Sequence, residues 1–273
     1  MDVDTPPLVG HLKNRFGPVA LSIVLPLTGI VLSEVALFHG SVVISLWGHF
    51  LTLLLCVFAP LIVRLDIRML QAIVLVPLFR IVTLGMPVVV DFTLYWLVTI
   101  YAPLFFALIV LLRTQDDLSI EPPLTLRSFG TRLLLLPIAL AGAVLLSEVE
   151  FHIIGPEALI AEWTTWNLVL IAVVMIGFVG FVEEMLFRGI LQRRLQTRIG
   201  RWSGILLASG VFGLLHSVYG TELGILFAFA VGILLGLLYD WTDSIGLVTI
   251  VHGVMNVFLF AVIPMHGPVL GIV

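Results

Sequence analysis

The chain has 273 residues, of which 60% are hydrophobic and only 11% charged, and its mean hydropathy is +1.21. Soluble domains carry about 25% charged residues, so this composition excludes a water-soluble globular protein. The net charge of -4 comes with no basic stripe of the kind that binds nucleic acid. The single cysteine, Cys56, excludes a disulfide framework and a cysteine-based metal site.

Met1 to Phe16 is polar and Pro-containing, with no small-residue cleavage site after an apolar core, so no cleavable signal peptide is expected. From there the chain reads as apolar runs of membrane-crossing length, at residues 17–38, 42–63, 67–90, 92–112, 131–148, 169–195, 202–219, 223–240 and 244–264. The turns at His39-Gly40-Ser41 and Met86-Pro87 are short, which leaves room for one re-entrant segment among the first four. The expected fold is therefore all-α and polytopic, with eight or nine transmembrane helices. The polar stretch Arg113 to Arg127 reads as a linker. It divides accessory helices (1–126) from a C-terminal helix bundle (127–273) that holds the clustered polar residues. Phe151 to Trp166 mixes acids and tryptophans with apolar residues, as an interfacial helix or loop does.

With the N-terminus cytoplasmic, the inner loops hold 11 of the 13 Lys and Arg, ending in Arg193, Arg194, Arg198 and Arg201. The outer side carries Asp91, Glu148, Glu150, Glu157, Glu162 and Glu222. This asymmetry fits the positive-inside rule.

Chemistry concentrates in the sixth run, Phe178-Val-Gly-Phe-Val-Glu-Glu-Met-Leu-Phe-Arg-Gly-Ile-Leu191. Ionisable groups at membrane depth cost several kcal/mol unless paired or hydrated, so they mark functional sites by default. Glu184 and Arg188 are i and i+4 on one helix face, where they can form an ion pair. Glu183 points about 100° away, without a partner in its own segment, and is the carboxylate left for chemistry. Two later spans add His216, and His252 with Asn256 one turn away. At 1.5 Å per residue, Glu183 lies roughly 18 Å from the cytoplasmic end of its span, His216 roughly 21 Å, His252 roughly 13 Å and Asn256 roughly 20 Å. All four can share one layer of the bilayer. A carboxylate beside a histidine can take a proton from water, and Asn and His can donate to the oxyanion formed at a carbonyl. That set suits peptide hydrolysis without a Ser or Cys nucleophile. The same Glu183, His216 and His252 are possible zinc ligands, although no span has two His at i, i+4.

The order Glu-Glu-x-x-x-Arg, Phe-x-x-x-His, His-x-x-x-Asn (Glu183, Glu184 and Arg188; Phe212 and His216; His252 and Asn256) resembles the CAAX protease and bacteriocin-processing (CPBP, Abi) family. These are intramembrane endopeptidases that include the type II CAAX prenyl proteases, and the resemblance covers about residues 166 to 263. It implies that Glu183 and His216 activate water, that His252 and Asn256 bind the oxyanion, and that no cofactor is required, with zinc the alternative. It also implies membrane lipids and a membrane-associated or prenylated protein substrate as partners, in the cytoplasmic membrane of a prokaryote. The competing expectations are a non-catalytic scaffold or bacteriocin-immunity protein, and a transporter. The absence of an internal repeat speaks against transport.

Other polar residues have simpler readings. Glu34 and Arg80 are expected to pair, with a substrate carboxylate at Arg80 as the functional alternative. Gly204, Gly210, Gly213, Gly224, Gly232 and Gly236 are expected at close helix contacts. A route to the site from the cytoplasm or laterally from lipid is anticipated.

Overall fold

The structure, a computed structural model, describes residues 7–85, 93–114 and 129–271. Among the described residues the fold is all-α, without strands, and nine helices are long and apolar enough to cross a membrane. They are α1 (Pro7–Phe38), α2 (Val42–Leu61), α3 (Ile67–Gly85), α4 (Leu94–Thr114), α5 (Phe129–Ile154), α6 (Thr165–Ile199), α7 (Arg201–Tyr219), α8 (Glu222–Thr242) and α9 (Ile245–His266). The chain is an integral membrane protein. The turn at Met86-Pro87, Asp91, and the expected domain boundary at 126–127 lie outside the described residues.

The segment expected at the interface divides in two. Phe151 to Ile154 form the last turn of α5, and the helix stops at Gly155, whose φ of +51° suits a residue without Cβ. Residues 155–164 then form a loop, up to Thr164, whose hydroxyl caps α6 by accepting from the Asn167 amide at 3.3 Å. Glu148 and Glu150, read from sequence as outer-surface acids, are instead buried in α5.

Two compact units, Met1–Ile81 and Val82–Val273, make up the fold. In the first, α1 packs along α2, and a buried charge cluster ties three helices. Arg80 donates from Nε to Glu34 Oε1 at 2.6 Å and from Nη2 to Oε2 at 2.7 Å. His49 Nε2 lies 3.0 Å from the same Oε1. The expected ion pair is present, with His49 as a third member, and its bidentate geometry occupies both carboxylate oxygens. Arg80 is thereby committed to Glu34.

In the second unit, short reversals make neighbouring helices antiparallel. Gly200, at φ +92°, is the single residue between α6 and α7. Asp243 takes a left-handed conformation, and Ser244 then accepts from the Leu247 amide to cap α9. α6 and α9 approach closely, where a Cβ on Gly253 would fall 2.5 Å from Ile176 Cα. That approach brings the adjacent His252 up to α6. Wider, π-type turns occupy Val173–Gly180 and Met185–Gln192 of α6, leaving Glu183 and Glu184 in the short α-helical stretch between them. Such widened turns are rare and concentrate at functional sites. Against α8, Arg188 Nη2 donates to the Gly232 carbonyl at 3.2 Å and Gln192 Nε2 to the Gly236 carbonyl at 3.0 Å. Of the glycines expected at close contacts, Gly210 is the exception, with nothing within 4 Å of a built Cβ.

Gly253→Ala should therefore destabilise the protein by about 1–3 kcal/mol, as overpacking does, whereas Gly210→Ala should not; reversible unfolding in mixed micelles measures both. Removing one charge of the first unit, by Glu34→Gln, should cost about 3–5 kcal/mol in the same assay. The Glu34→Met/Arg80→Met double replacement should cost less than either single change.

Candidate active site

Four of the six residues singled out from sequence line one cavity of about 90 Å³: Glu183 from α6, His216 from the end of α7, and His252 with Asn256 from α9. The other two, Glu184 and Arg188, lie behind it, at 0% and 1% exposure. Arg188 Nη1 donates to Glu184 Oε1 at 2.7 Å, as the i, i+4 spacing anticipates. Its guanidinium also lies over the Phe212 ring, 4.6 Å from the centroid, a distance typical of cation–π contact.

His252 is the centre of the arrangement. Its Nδ1–H donates to Glu184 Oε1 at 2.7 Å, and its Nε2 lies 3.8 Å from Glu183 Oε2. One imidazole therefore spans both adjacent carboxylates, which diverge round α6, and presents a different nitrogen to each. Glu184 Oε1 accepts from Arg188 and His252 together, while its Oε2 has no hydrogen-bond partner among the described residues.

His216 sits where α7 tightens to a 3₁₀ turn over Leu215–Tyr219. Its Nδ1 is 2.8 Å from the Phe212 carbonyl. A carbonyl only accepts, so Nδ1 carries the proton, and in the neutral ring Nε2 is an acceptor. Phe212 thus sets the His216 tautomer, packs on its ring at 4.8 Å, and meets the His252 ring edge-on at 5.8 Å.

Glu183 has a partner that sequence reasoning missed. Tyr101 of α4 donates its hydroxyl to Glu183 Oε1 at 2.5 Å, leaving Oε2 on the side of His252. Tyr101 is an unremarked aromatic in an apolar span, with no polar neighbour in sequence to flag it. Glu150 of α5 was also missed, although it lines the same cavity at 7% exposure. The rule that singled out Glu183, an acid inside an apolar run, would have found it had α5 been extended past residue 148. Arg201, one of the inner-loop basic residues, pairs with Asp240 at 2.6 Å, and Arg194 is buried.

Glu183, His216 and His252 do not fit a zinc site as they stand. Among the described residues no three His, Cys, Asp or Glu side chains gather closely enough to hold a metal ion.

The cavity is built from one set of helix ends. Leu97 and Tyr101 are near the start of α4, Glu150 near the end of α5, Leu159 is in the 155–164 loop, and Tyr219 closes α7. Arg193, Arg194, Arg198 and Arg201 are at the opposite ends of α6 and α7.

Residues 165–258, which contain every motif residue named above, match the family described as type II CAAX prenyl endopeptidase Rce1-like. Over these residues the chain is similar to an Rce1-like domain. The family is in general a protease family. The chain is also 38% identical over 79 residues to the uncharacterized protein YpbD of Bacillus subtilis (strain 168), a stretch that is 29% of this chain and 38% of that protein. The chain thus spans well under half the length of the curated relative it matches. No solved structure matches it. Tyr101 and Glu150 both precede the Rce1-like domain, so the cavity draws on helices outside it.

Tyr101→Phe removes a hydrogen bond to a carboxylate and should lower the unfolding free energy by about 1.5–3 kcal/mol, read in the same micellar unfolding assay.

Proposed function

We propose that the chain is an intramembrane endopeptidase that hydrolyses a peptide bond of a membrane-associated or prenylated substrate with activated water. The observation that carries this reading is His252 held between Glu184 and Glu183 at the wall of a cavity also lined by His216 and Asn256. A water occupies about 30 Å³ of liquid volume, so the cavity has room for the nucleophile and a few companions.

Glu183, with His216 Nε2, takes a proton from that water as it attacks the scissile carbonyl. Charge then develops on the carbonyl oxygen, where the Asn256 amide and the His252 imidazolium donate to it. Glu184 stabilises that imidazolium through Nδ1, and Arg188 holds Glu184 in place by its hydrogen bond to Oε1. The leaving amine collects the proton first taken by the Glu183–His216 pair, so protons balance over the cycle. Enclosure by helices keeps the substrate backbone out of lipid, where unpaired amides are costly. This mechanism needs no metal ion.

A second pocket of about 290 Å³, almost wholly apolar, supports a lipid-modified substrate. Leu135 and Ala139 of α5, Leu234 and Leu238 of α8, and Val251 of α9 line it, and it shares Val231, His252 and Met255 with the polar cavity. A hydrocarbon chain lodged there would place an attached peptide beside the catalytic imidazole.

The basic clusters favour a cytoplasmic N-terminus in a plasma membrane, and the Bacillus relative is consistent with a prokaryotic setting. In that orientation the cavity lies toward the extracytoplasmic face, and the cytoplasmic route anticipated from sequence gives way to an outer or lateral one. The partners are then lipids and a membrane-bound peptide, without nucleic acid.

Purified protein in nanodiscs, given an S-farnesyl peptide library with products read by mass spectrometry, tests the reading. Glu183→Gln should lower turnover by about 10²–10⁴-fold, the range for losing a positioned base, while binding persists. Chelators should leave turnover unchanged. Undiminished cleavage by Glu183→Gln would refute the mechanism, and chelator inhibition reversed by zinc would replace it with the metal-dependent version.

A further inference from the structure

Glu150 is a buried acid that the mechanism does not use. It is 7% exposed, its side chain lines the cavity, and it accepts no hydrogen bond from any described residue. Glu148, two residues earlier, has a structural task, since its carboxylate accepts from the Leu270 amide. Glu150 lines the same cavity as Glu183 and His252. The ionisable groups on the wall are thus the carboxylates of Glu150 and Glu183, the Tyr101 and Tyr219 hydroxyls, and the imidazoles of His216 and His252. Among the described residues no Lys or Arg lines it; Arg188 is turned away to Glu184 and the Gly232 carbonyl. Of the neutral donors on that wall, Tyr101 is directed to Glu183.

The approach has the same sign. The loop at this end of the bundle exposes Glu157 and Glu162, and Glu222 is exposed at the start of α8. Neither the 155–164 loop nor residues 219–223 contain a Lys or Arg. Carboxylates of one sign around a low-dielectric opening raise the local concentration of cations. A buried acid without a donor lowers its cost only when a cation or donor arrives with the ligand.

The geometry points to Glu150 as a specificity-determining residue that receives a cationic group of the substrate, a lysine or arginine side chain close to the scissile bond. The inference rests on the protease reading and narrows it: the preferred substrate is a basic peptide segment entering from the acidic end. A substrate whose free C-terminal carboxylate had to enter the cavity would meet two acids, with His252 already held by Glu184, and is disfavoured. Glu157, Glu162 and Glu222 act earlier, on encounter, so their contribution fades with salt while that of the enclosed Glu150 persists.

The test uses full-length protein in nanodiscs and S-farnesyl octapeptides with lysine, norleucine or glutamate at each position within three of the modified cysteine. The readout is the ratio of kcat/KM for lysine over norleucine peptides, in the wild type, in Glu150→Gln, and in Glu150→Met as a second variant. A wild-type ratio of about tenfold or more, as close interfacial charge pairs produce, should fall toward unity in both. The parallel readout is peptide capture by Glu183→Gln protein with and without Glu150→Gln. Cleavage without a lysine preference, or with a preference that survives both Glu150 replacements, overturns the role of Glu150 while the protease reading stands. Lysine enrichment among captured peptides that depends on Glu150, without cleavage by the wild type, upholds the cation site and refutes the protease. Neither cleavage nor enrichment refutes both.

Discussion

The arrangement depends on one imidazole held between two adjacent carboxylates. Consecutive residues on a helix diverge by about 100°, so Glu183 and Glu184 cannot both face a single point. His252 reconciles them because its two nitrogens lie on different edges of the ring, with Nδ1 on Glu184 and Nε2 toward Glu183. The contact requires α9 to press against α6, and Gly253, the next residue, is where the backbones come closest. Packing, charge pairing and the shape of the cavity are thus consequences of the same helix crossing.

Charge is arranged in depth around that contact. Arg188 and Glu184 neutralise one another out of reach of the cavity, tied to α8 through the Gly232 carbonyl and covered by Phe212. Breaking such a buried pair would leave an uncompensated charge in a low-dielectric setting. Glu183 is the half-step nearer to water, fixed by Tyr101 and open to His252. The first unit repeats the device without a cavity lined by its acid, since both oxygens of Glu34 are taken by Arg80 and His49 adds to one of them. Two buried Arg–Glu pairs therefore have different uses in one chain. The difference is legible in whether an acid beside the pair reaches a polar cavity.

Much of this was written in the sequence because membranes impose simple rules. Hydrophobic length located the spans to within a few residues, and α-helical spacing anticipated the Glu184–Arg188 pair. Depth counting brought Glu183, His216, His252 and Asn256 to one layer, and they line one cavity. What escaped were contacts between helices distant in sequence. Nothing near Tyr101 signals that its hydroxyl meets Glu183, 82 residues later. Nothing in the sequence around His49 signals that it meets Glu34 of α1 beside Arg80 of α3. Glu150 was mistaken for an interfacial acid because α5 runs six residues past the end assigned from hydropathy, to Ile154. Which nitrogen of His252 meets which carboxylate depends on the rotation of α9 against α6, and hydrophobic periodicity does not encode it.

The dependence of the site on the His252 bridge is measured most directly by a double-mutant cycle between Glu184 and His252, with Glu184→Gln, His252→Asn and the pair compared in unfolding free energy. Residues in one buried network are coupled by about 0.5–3 kcal/mol, and a value in that range is expected, with the double variant much less destabilised than the sum of the singles. Strictly additive losses would mean that the two side chains do not meet, and would contradict the bridge on which the cavity is built.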